Sequence, residues 1–421
     1  MSEKSTILPM VIIGTLFFIF GFVTWLNGSL IPFLNVICDL TEFQSLFVTF
    51  AFYIAYTVMA LPMSFVLEKM GYKNAMAIGL GIMVIGSLLF IPAALGANYA
   101  LFLLALFTLG TGLTTLQTAS NPYVVLTGPI ESAAMRISIM GLINKSAGVL
   151  VPLVFTALIL SDIPNLLYVE LSAADIEALA HRLIVPYLLM AVVLSFLILL
   201  IKFSSLPELE CHEEHEDKES IFHFPRVILG AAALFFYVGI EVIAGDTIGL
   251  YGQSLGVENA TALTSYTMAF MVSGYLIGVL FIPKFLSQKT ALMGSAIFGI
   301  LFLLGVAFSS SSSSEVSEIL WGWSGIPTLP NSVAFVALLG FANALVWPTI
   351  WPLALEGLGK YTAQGSALLI MAIAGGAVLP LLFGKISQLS GDMQFTYLIG
   401  VVSYLFIFMY AFKWHKMSSW S

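Results

Sequence analysis

Three charged side chains lie inside segments that are otherwise almost free of charge: Lys145, Glu241 and Asp246. An ionised side chain near the centre of a bilayer costs from ~2.5 to more than ~10 kcal/mol, depending on how water or a partner relieves it. Residues kept at that cost usually bind a substrate or ion, or carry protons. We therefore interpret all three as candidate functional residues. The alternatives are a hydrogen-bonded or ionic brace for Glu241, hydration near the outer surface for Asp246, and snorkelling or a structural salt bridge for Lys145.

Amides and indoles form a second group of candidates in the same segments. Gln117 and Asn121 are four residues apart, so they would share one face of a helix. Asn343, Trp347 and Trp351 also follow one another at four-residue steps. Amides bond to hydroxyls and indoles stack on apolar sugar faces, so this combination is typical of a sugar site. Helix–helix adhesion and anchoring at the membrane surface are the alternative roles.

Two further amides, Asn27 and Asn144, complete this group, and Asn144 is adjacent to Lys145. The predicted substrate-binding residues are Asn27, Gln117, Asn121, Asn144, Lys145, Asn343, Trp347 and Trp351. Glu241 and Asp246 are the predicted cation-coupling residues, and Asp246 with Thr247 could hold Na⁺. No resident cofactor is expected.

These residues belong to a chain with the composition of a membrane protein. Of its 421 residues 59% are hydrophobic and 9% charged, and the mean hydropathy is +1.01. A helix needs about 20 apolar residues to cross a bilayer. The sequence predicts an all-α polytopic protein with twelve spans near 8–34, 43–68, 74–95, 99–127, 135–161, 183–203, 227–254, 260–284, 290–309, 331–355, 362–388 and 393–412.

The distribution of charge predicts the orientation and the division of the chain. Almost all lysines and arginines fall on one side of the predicted spans, which places both termini in the cytoplasm of a bacterium with the spans in its inner membrane. Much of the net charge of −8 comes from one acidic segment. We predict an N-terminal bundle at 1–203, an acidic cytoplasmic linker at 204–225 and a C-terminal bundle at 226–421.

Two short patterns recur six predicted helices apart. Leu16-Phe17-Phe18-x-x-Gly21 in the first helix returns as Leu234-Phe235-Phe236-x-x-Gly239 in the seventh. Gly148-x-x-x-Pro152-Leu153-x-Phe155 in the fifth helix returns as Gly376-x-x-x-Pro380-Leu381-x-Phe383 in the eleventh. The order indicates two parallel six-helix repeats, an architecture of secondary transporters whose substrate site lies between the halves.

The chain also resembles a known family. The resemblance rests on Gln117-Thr118-Ala119-Ser120-Asn121-Pro122-Tyr123-Val124, Trp25-Leu26-Asn27-Gly28-x-x-Ile31-Pro32, Ala51-Phe52-Tyr53-x-x-Tyr56, Met70-Gly71-Tyr72-Lys73 and Gly365-Ser366. With these motifs the chain is similar to the fucose–proton symporter family of the major facilitator superfamily, particularly its glucose/galactose branch. The resemblance implies the major facilitator fold and uptake of a hexose or deoxyhexose with a cation by rocking of two bundles.

Two positions depart from the pattern of the fucose transporters. Where these carry an aspartate in the first helix and a glutamate in the fourth, tied to proton coupling, this chain has Gly28 and Gln117. Neither residue titrates. In the alignment of the repeats, Gly28 falls opposite Asp246, so we expect Asp246 to face the cavity in place of the missing carboxylate. Glu241 would point about 140° away from it on a regular helix, unless a kink intervenes.

The sequence therefore predicts a secondary transporter that imports a hexose of the glucose, galactose or mannose type with Na⁺ or H⁺ by alternating access. A sugar uniporter with Lys145 as its built-in cation and an exporter of small amphipathic compounds are the alternatives. No catalytic arrangement is apparent, so an enzyme is not expected. The expected partners are a small sugar and the lipid bilayer; nucleic acid is not expected, and the protein should be a monomer.

Overall fold

The structure is a computed structural model that describes residues 4–126, 133–160, 172–204, 206, 221–282, 285–358 and 361–420. Its regular elements are all helical, and twelve helical segments are long and apolar enough to cross a membrane. The predicted all-α, twelve-span architecture is thereby confirmed. Most of the predicted acidic linker, 205 and 207–220, lies outside the described residues.

The first half of the chain contains six of these spans. Its helices are α1 (Lys4–Trp25), α2 (Asn27–Ile37), α3 (Glu42–Ser45), α4 (Phe47–Leu95), α5 (Tyr99–Leu126), α6 (Ala133–Ile159), α7 (Ala173–His181) and α8 (Ile184–Phe203). The helix α4 contains the second and third spans. They are joined through a kink at Gly71, whose φ of 75° suits glycine because it has no Cβ.

The second half contains the other six spans. Its helices are α9 (Pro225–Asp246), α10 (Ile248–Ser254), α11 (Thr264–Phe281), α12 (Gln288–Phe308), α13 (Glu315–Trp321), α14 (Asn331–Asn343), α15 (Val346–Leu355), α16 (Thr362–Met371), α17 (Gly375–Ser390), α18 (Met393–Thr396) and α19 (Gly400–Phe412). Several spans that the sequence predicts as single helices are broken here.

The breaks have local causes. The seventh span divides at Thr247 between α9 and α10, where the hydroxyl donates to the Ile243 carbonyl 2.6 Å away. Such back-bonding bends helices. The tenth span divides between α14 and α15, where the ring of Pro348 would clash with the carbonyl of Ala344 in a continuous helix. Asp246 and Asn343 lie directly beside these breaks, so the breaks determine the directions of their side chains.

The two halves repeat the same helix packing. In the first half α1 packs on α6, because Gly21 lies directly against the backbone of Asn144. In the second half α9 packs on α17, because Gly375 lies directly against the backbone of Phe235. Small residues allow membrane helices this close approach. Equivalent helix pairs thus pack closely in both halves, although the contacting glycine lies on α1 in the first half and on α17 in the second.

Candidate functional site

A cavity of about 120 Å³ lies between the two halves near the middle of the spans. Helices from both halves line it, with the charged pair Lys145 and Glu241 on its surface. The other lining residues are Phe17, Phe20, Thr24, Trp25, Tyr53, Tyr56, Gln117, Asn121, Gly141, Asn144, Tyr237, Val238, Tyr275, Trp347 and Ile373. The cavity therefore combines amides, phenols, indoles and one ion pair.

The ion pair connects the halves. Lys145 Nζ on α6 donates to Glu241 Oε1 on α9 at 2.6 Å, and both side chains are buried. Lys145 Nζ also lies 4.3 Å from the centre of the Trp25 ring, within the range of a cation–π contact. Because each ion neutralises the other, the cavity holds two charges that remain with the protein and do not require a bound ion.

Trp25 is wedged between the halves. A Cβ on Gly148 of α6 would fall 2.6 Å from its Cδ1 atom, and a Cβ on Gly245 of α9 would fall 2.5 Å from its Cζ3 atom. The two glycines therefore leave the space that the indole fills. The indole is buried, yet its Nε1 has no hydrogen-bond partner. An unpaired buried donor on a cavity wall is a ready group for a ligand hydroxyl.

Three of the predicted amides lie on the cavity wall. Gln117 and Asn121 on α5 are half-buried and line the same cavity, as their spacing predicts. Asn144 lines it too, and its Nδ2 donates to the Phe17 carbonyl at 3.3 Å. Trp347 of α15 completes the predicted residues on the wall together with the ion pair.

Other predicted residues lie outside the lining. Trp351 stacks on Trp347 with ring centres 5.3 Å apart, so it supports the lining indole. Asn343 is fully buried and accepts from the Tyr404 hydroxyl at 2.8 Å. Asn27 is buried with its Nδ2 unpaired. These two amides lie within helix packing in this state.

Asp246 also lies away from the cavity surface, which differs from the expectation that it faces the sugar. It is completely buried one residue beyond Gly245, the glycine that contacts Trp25. Thr49 Oγ1 of α4, in the other half, donates to Asp246 Oδ2 at 3.2 Å, whereas Oδ1 has no partner. Asp246 therefore belongs to the contact between the halves.

The predicted partner of Asp246 for Na⁺ is engaged elsewhere. Thr247 Oγ1 bonds to the Ile243 carbonyl and, at 2.7 Å, to the Tyr397 hydroxyl. A hard cation requires several oxygen ligands directed at one point. Thr247 does not supply one at Asp246, so the two residues do not fit the predicted Na⁺ site in this conformation.

The close packing around Gly28 explains a departure noted in the sequence. A Cβ on Gly28 would collide with Thr264 Oγ1 and fall 2.9 Å from the Gly245 carbonyl oxygen. A larger residue at position 28 does not fit here. Gly28 and Asp246, which are equivalent in the two repeats, thus lie in one region of the interface, and the carboxylate of Asp246 comes from the second half.

The halves are closed together at one end. Among the described residues at this end, four side-chain hydrogen bonds join the halves, through Asp246, Ser29, Thr156 and Ser265; Ser29 donates to the Thr261 carbonyl at 2.6 Å. All lie toward the loops that are opposite to the chain termini, in the helix directions of the described residues. We call these contacts the loop-end seal. The cavity lies on the terminal side of the seal.

Tyrosines are the lining residues that the sequence reasoning did not select. Tyr53, Tyr56, Tyr237 and Tyr275 all face the cavity. Tyr53 and Tyr56 form part of a motif that carried the family resemblance, and Tyr237 precedes Glu241 by one helical turn. The motif and the helical spacing therefore indicated these tyrosines. Placing a tyrosine in a membrane span costs much less free energy than placing a charge there, so its presence is a weaker indication of function.

Twelve spans in two similarly packed halves, with a polar cavity between them, define the class of secondary transporter folds with parallel repeats. The model of the Major Facilitator Superfamily matches residues 13–380, and the chain belongs to this family.

Named relatives cover nearly the whole chain. A glucose/galactose transporter of Brucella abortus is 32% identical over 97% of this chain and 94% of the relative. The L-fucose-proton symporter of Escherichia coli is 28% identical over 97% of this chain and 93% of the relative. The crystal structure of the transporter FucP in the outward conformation shares 25% identity and a TM-score of 0.73, covering 97% of this chain and 98% of that one.

Proposed function

We propose that the protein is a secondary active transporter that imports a hexose of the glucose, galactose or mannose type by alternating access. The observation that carries the proposal is the cavity between the halves, whose wall combines the amides Gln117, Asn121 and Asn144 with aromatic rings. Amides exchange hydrogen bonds with sugar hydroxyls, and rings cover the apolar C–H faces. The relatives of the chain, which include a glucose/galactose transporter of Brucella abortus, support a sugar substrate.

The size of the cavity supports a small substrate. Its volume of about 120 Å³ is well below the ~300–1,000 Å³ of pockets for drug-sized ligands. An exporter of amphipathic compounds would need a larger cavity with fewer amides. The hexose importer is therefore the better proposal.

Coupling to a cation is the second part of the proposal. Glu241 and Asp246 are the candidate groups for Na⁺ or H⁺, with Thr247 beside Asp246. Because Lys145 already neutralises Glu241, the built-in ammonium can replace an external ion at that position. If Asp246 has no role in coupling, the ion pair of Lys145 and Glu241 favours the alternative function of a sugar uniporter. Otherwise Asp246 is the remaining group at which an ion can act.

The cellular setting completes the proposal. The basic residues favour cytoplasmic termini in a bacterial inner membrane, so the cavity would be nearer the cytoplasm than the loop-end seal is. We further propose a monomer that works without a resident cofactor.

Transport in proteoliposomes tests this function. Counterflow should be measured with glucose, galactose, mannose and fucose, followed by uptake driven by a Na⁺ or a pH gradient. We expect counterflow of at least one hexose and accumulation with one gradient. Uptake of the hexose that ignores both gradients would favour the uniporter, and a lack of counterflow with every sugar would refute the sugar transport proposal.

A further inference from the structure

Asp246 is an unusual carboxyl group because of what surrounds it in the loop-end seal. It has no exposed surface, one oxygen accepts a single bond from Thr49, and the other oxygen has no partner. Among the described residues, its carboxyl group has no ion pair. An ionised carboxylate in such a place loses its hydration without compensation, and the neutral acid is strongly favoured.

The groups around Asp246 do not supply a positive charge that would compensate an ionised carboxylate. Thr49 of α4 offers only its hydroxyl, whose oxygen lies 3.2 Å from Asp246 Oδ2. Glu241 of α9 and Lys145 of α6 carry opposite charges and are bonded to each other at 2.6 Å. Thr264 of α11 donates its hydroxyl to the Gly245 carbonyl at 2.7 Å. The nearby charges therefore cancel.

We propose that Asp246 is the proton-binding group of the transport cycle, and that the neutral acid allows the loop-end seal to close whereas the carboxylate opens it. This inference rests on the proposed sugar transport and chooses H⁺ over Na⁺ as the coupling ion. The poor fit of Thr247 to a Na⁺ site agrees with it. The proton binds behind Trp25, outside the sugar cavity.

The position of Asp246 gives a mechanism for coupling. When the seal is open, the carboxylate meets water and takes a proton from it. The resulting acid can be buried against Thr49 of the other half, so the carrier closes when sugar also fills the cavity, whereas a carrier that holds only the proton or only the sugar resists closure. Loss of that proton toward the cavity leaves an unpaired buried charge, which favours opening of the seal and the return of the empty carrier. The proton and the sugar, bound at separate places, thus act on the same conformational equilibrium.

Asp246→Asn tests the inference, since the amide is nearly isosteric and always neutral. In proteoliposomes we expect the variant to keep sugar counterflow within about threefold of the wild type, because exchange needs no net proton movement. It should lose accumulation driven by a pH gradient and the alkalinisation that accompanies sugar entry. Thr49→Val is the matched control: it removes the contact but keeps the titrating group, so proton coupling should remain.

The outcomes separate this inference from the proposed function. If the wild type shows no counterflow with any hexose, the transport proposal fails. If counterflow is present and Asp246→Asn still accumulates sugar with a pH gradient, the proton-binding role is wrong. If the variant does not fold, sugar-induced alkalinisation is measured on the wild type, and its absence at saturating sugar, or accumulation driven by Na⁺ alone, overturns the inference.

Discussion

Lys145 and Glu241 are the residues whose chemistry is most tightly constrained by their surroundings. Their 2.6 Å bond joins the two halves and is buried beside the cavity. Removing one member of a buried pair leaves the other charge uncompensated, which is much more costly than removing both. This difference allows a direct test of whether the pair acts as a unit.

We predict that Lys145→Met lowers the free energy of unfolding by about 3–5 kcal/mol, and that the double variant Lys145→Met/Glu241→Gln recovers much of this loss. Unfolding in detergent followed by tryptophan fluorescence measures both. If the double variant loses as much stability as the single variants Lys145→Met and Glu241→Gln lose in sum, the two ions do not interact.

Trp347 and Trp351 provide a matched pair for the sugar site. They stack on each other, but Trp347 lines the cavity and Trp351 does not. We expect Trp347→Phe to raise the apparent KM for sugar by about tenfold, since part of one aromatic platform is lost, and Trp351→Phe to change it by less than about threefold. Counterflow over a range of sugar concentrations gives both values. A larger effect at Trp351 would contradict the assignment of the wall.

The sequence predicted the twelve spans and their internal repeat because long apolar runs and recurring glycines are local signals. It did not predict the breaks at Thr247 and between α14 and α15. Those breaks depend on a hydroxyl and a proline inside otherwise helical patterns. They decide where Asp246 and Asn343 point, which explains why residue types were easier to select than their positions.

The role of the glycines around Trp25 can be recognised only from the way the helices pack. We predict that Gly148→Ala lowers the counterflow rate about tenfold, because the new methyl group would overlap Trp25 and Met268 and overpack the interface. Gly294→Ala is the control, because its Cβ would have open space within 4 Å. Equal rates for the two variants would mean that the close fit at Trp25 is not needed for transport.

The two halves must separate at the loop end if the carrier is to expose the cavity on the other side of the membrane. Thr156 Oγ1 and Thr261 Oγ1, one from each half, lie 2.7 Å apart in the loop-end seal. The pair is therefore suited to a disulfide that fixes the closed arrangement. Burial raises the pKa of the native Cys38 thiol to about 11, which makes it a poor nucleophile.

We predict that Thr156→Cys/Thr261→Cys, with Cys38 and Cys211 replaced by alanine, loses counterflow when oxidised and regains it when reduced. Each single cysteine variant, treated in the same way, is the control and should remain active. Full activity of the cross-linked protein would show that the loop end does not open during transport.

The bond between Lys145 and Glu241 has a consequence for the environment in which the carrier works. Mobile counter-ions screen exposed charges over about 8 Å at physiological ionic strength, but they do not enter a buried contact. The attraction that draws the bundles together near the cavity is thus insulated from the salinity of the medium. In a cell that meets abrupt changes in external osmolarity, the ion pair between Lys145 and Glu241 would keep a constant strength.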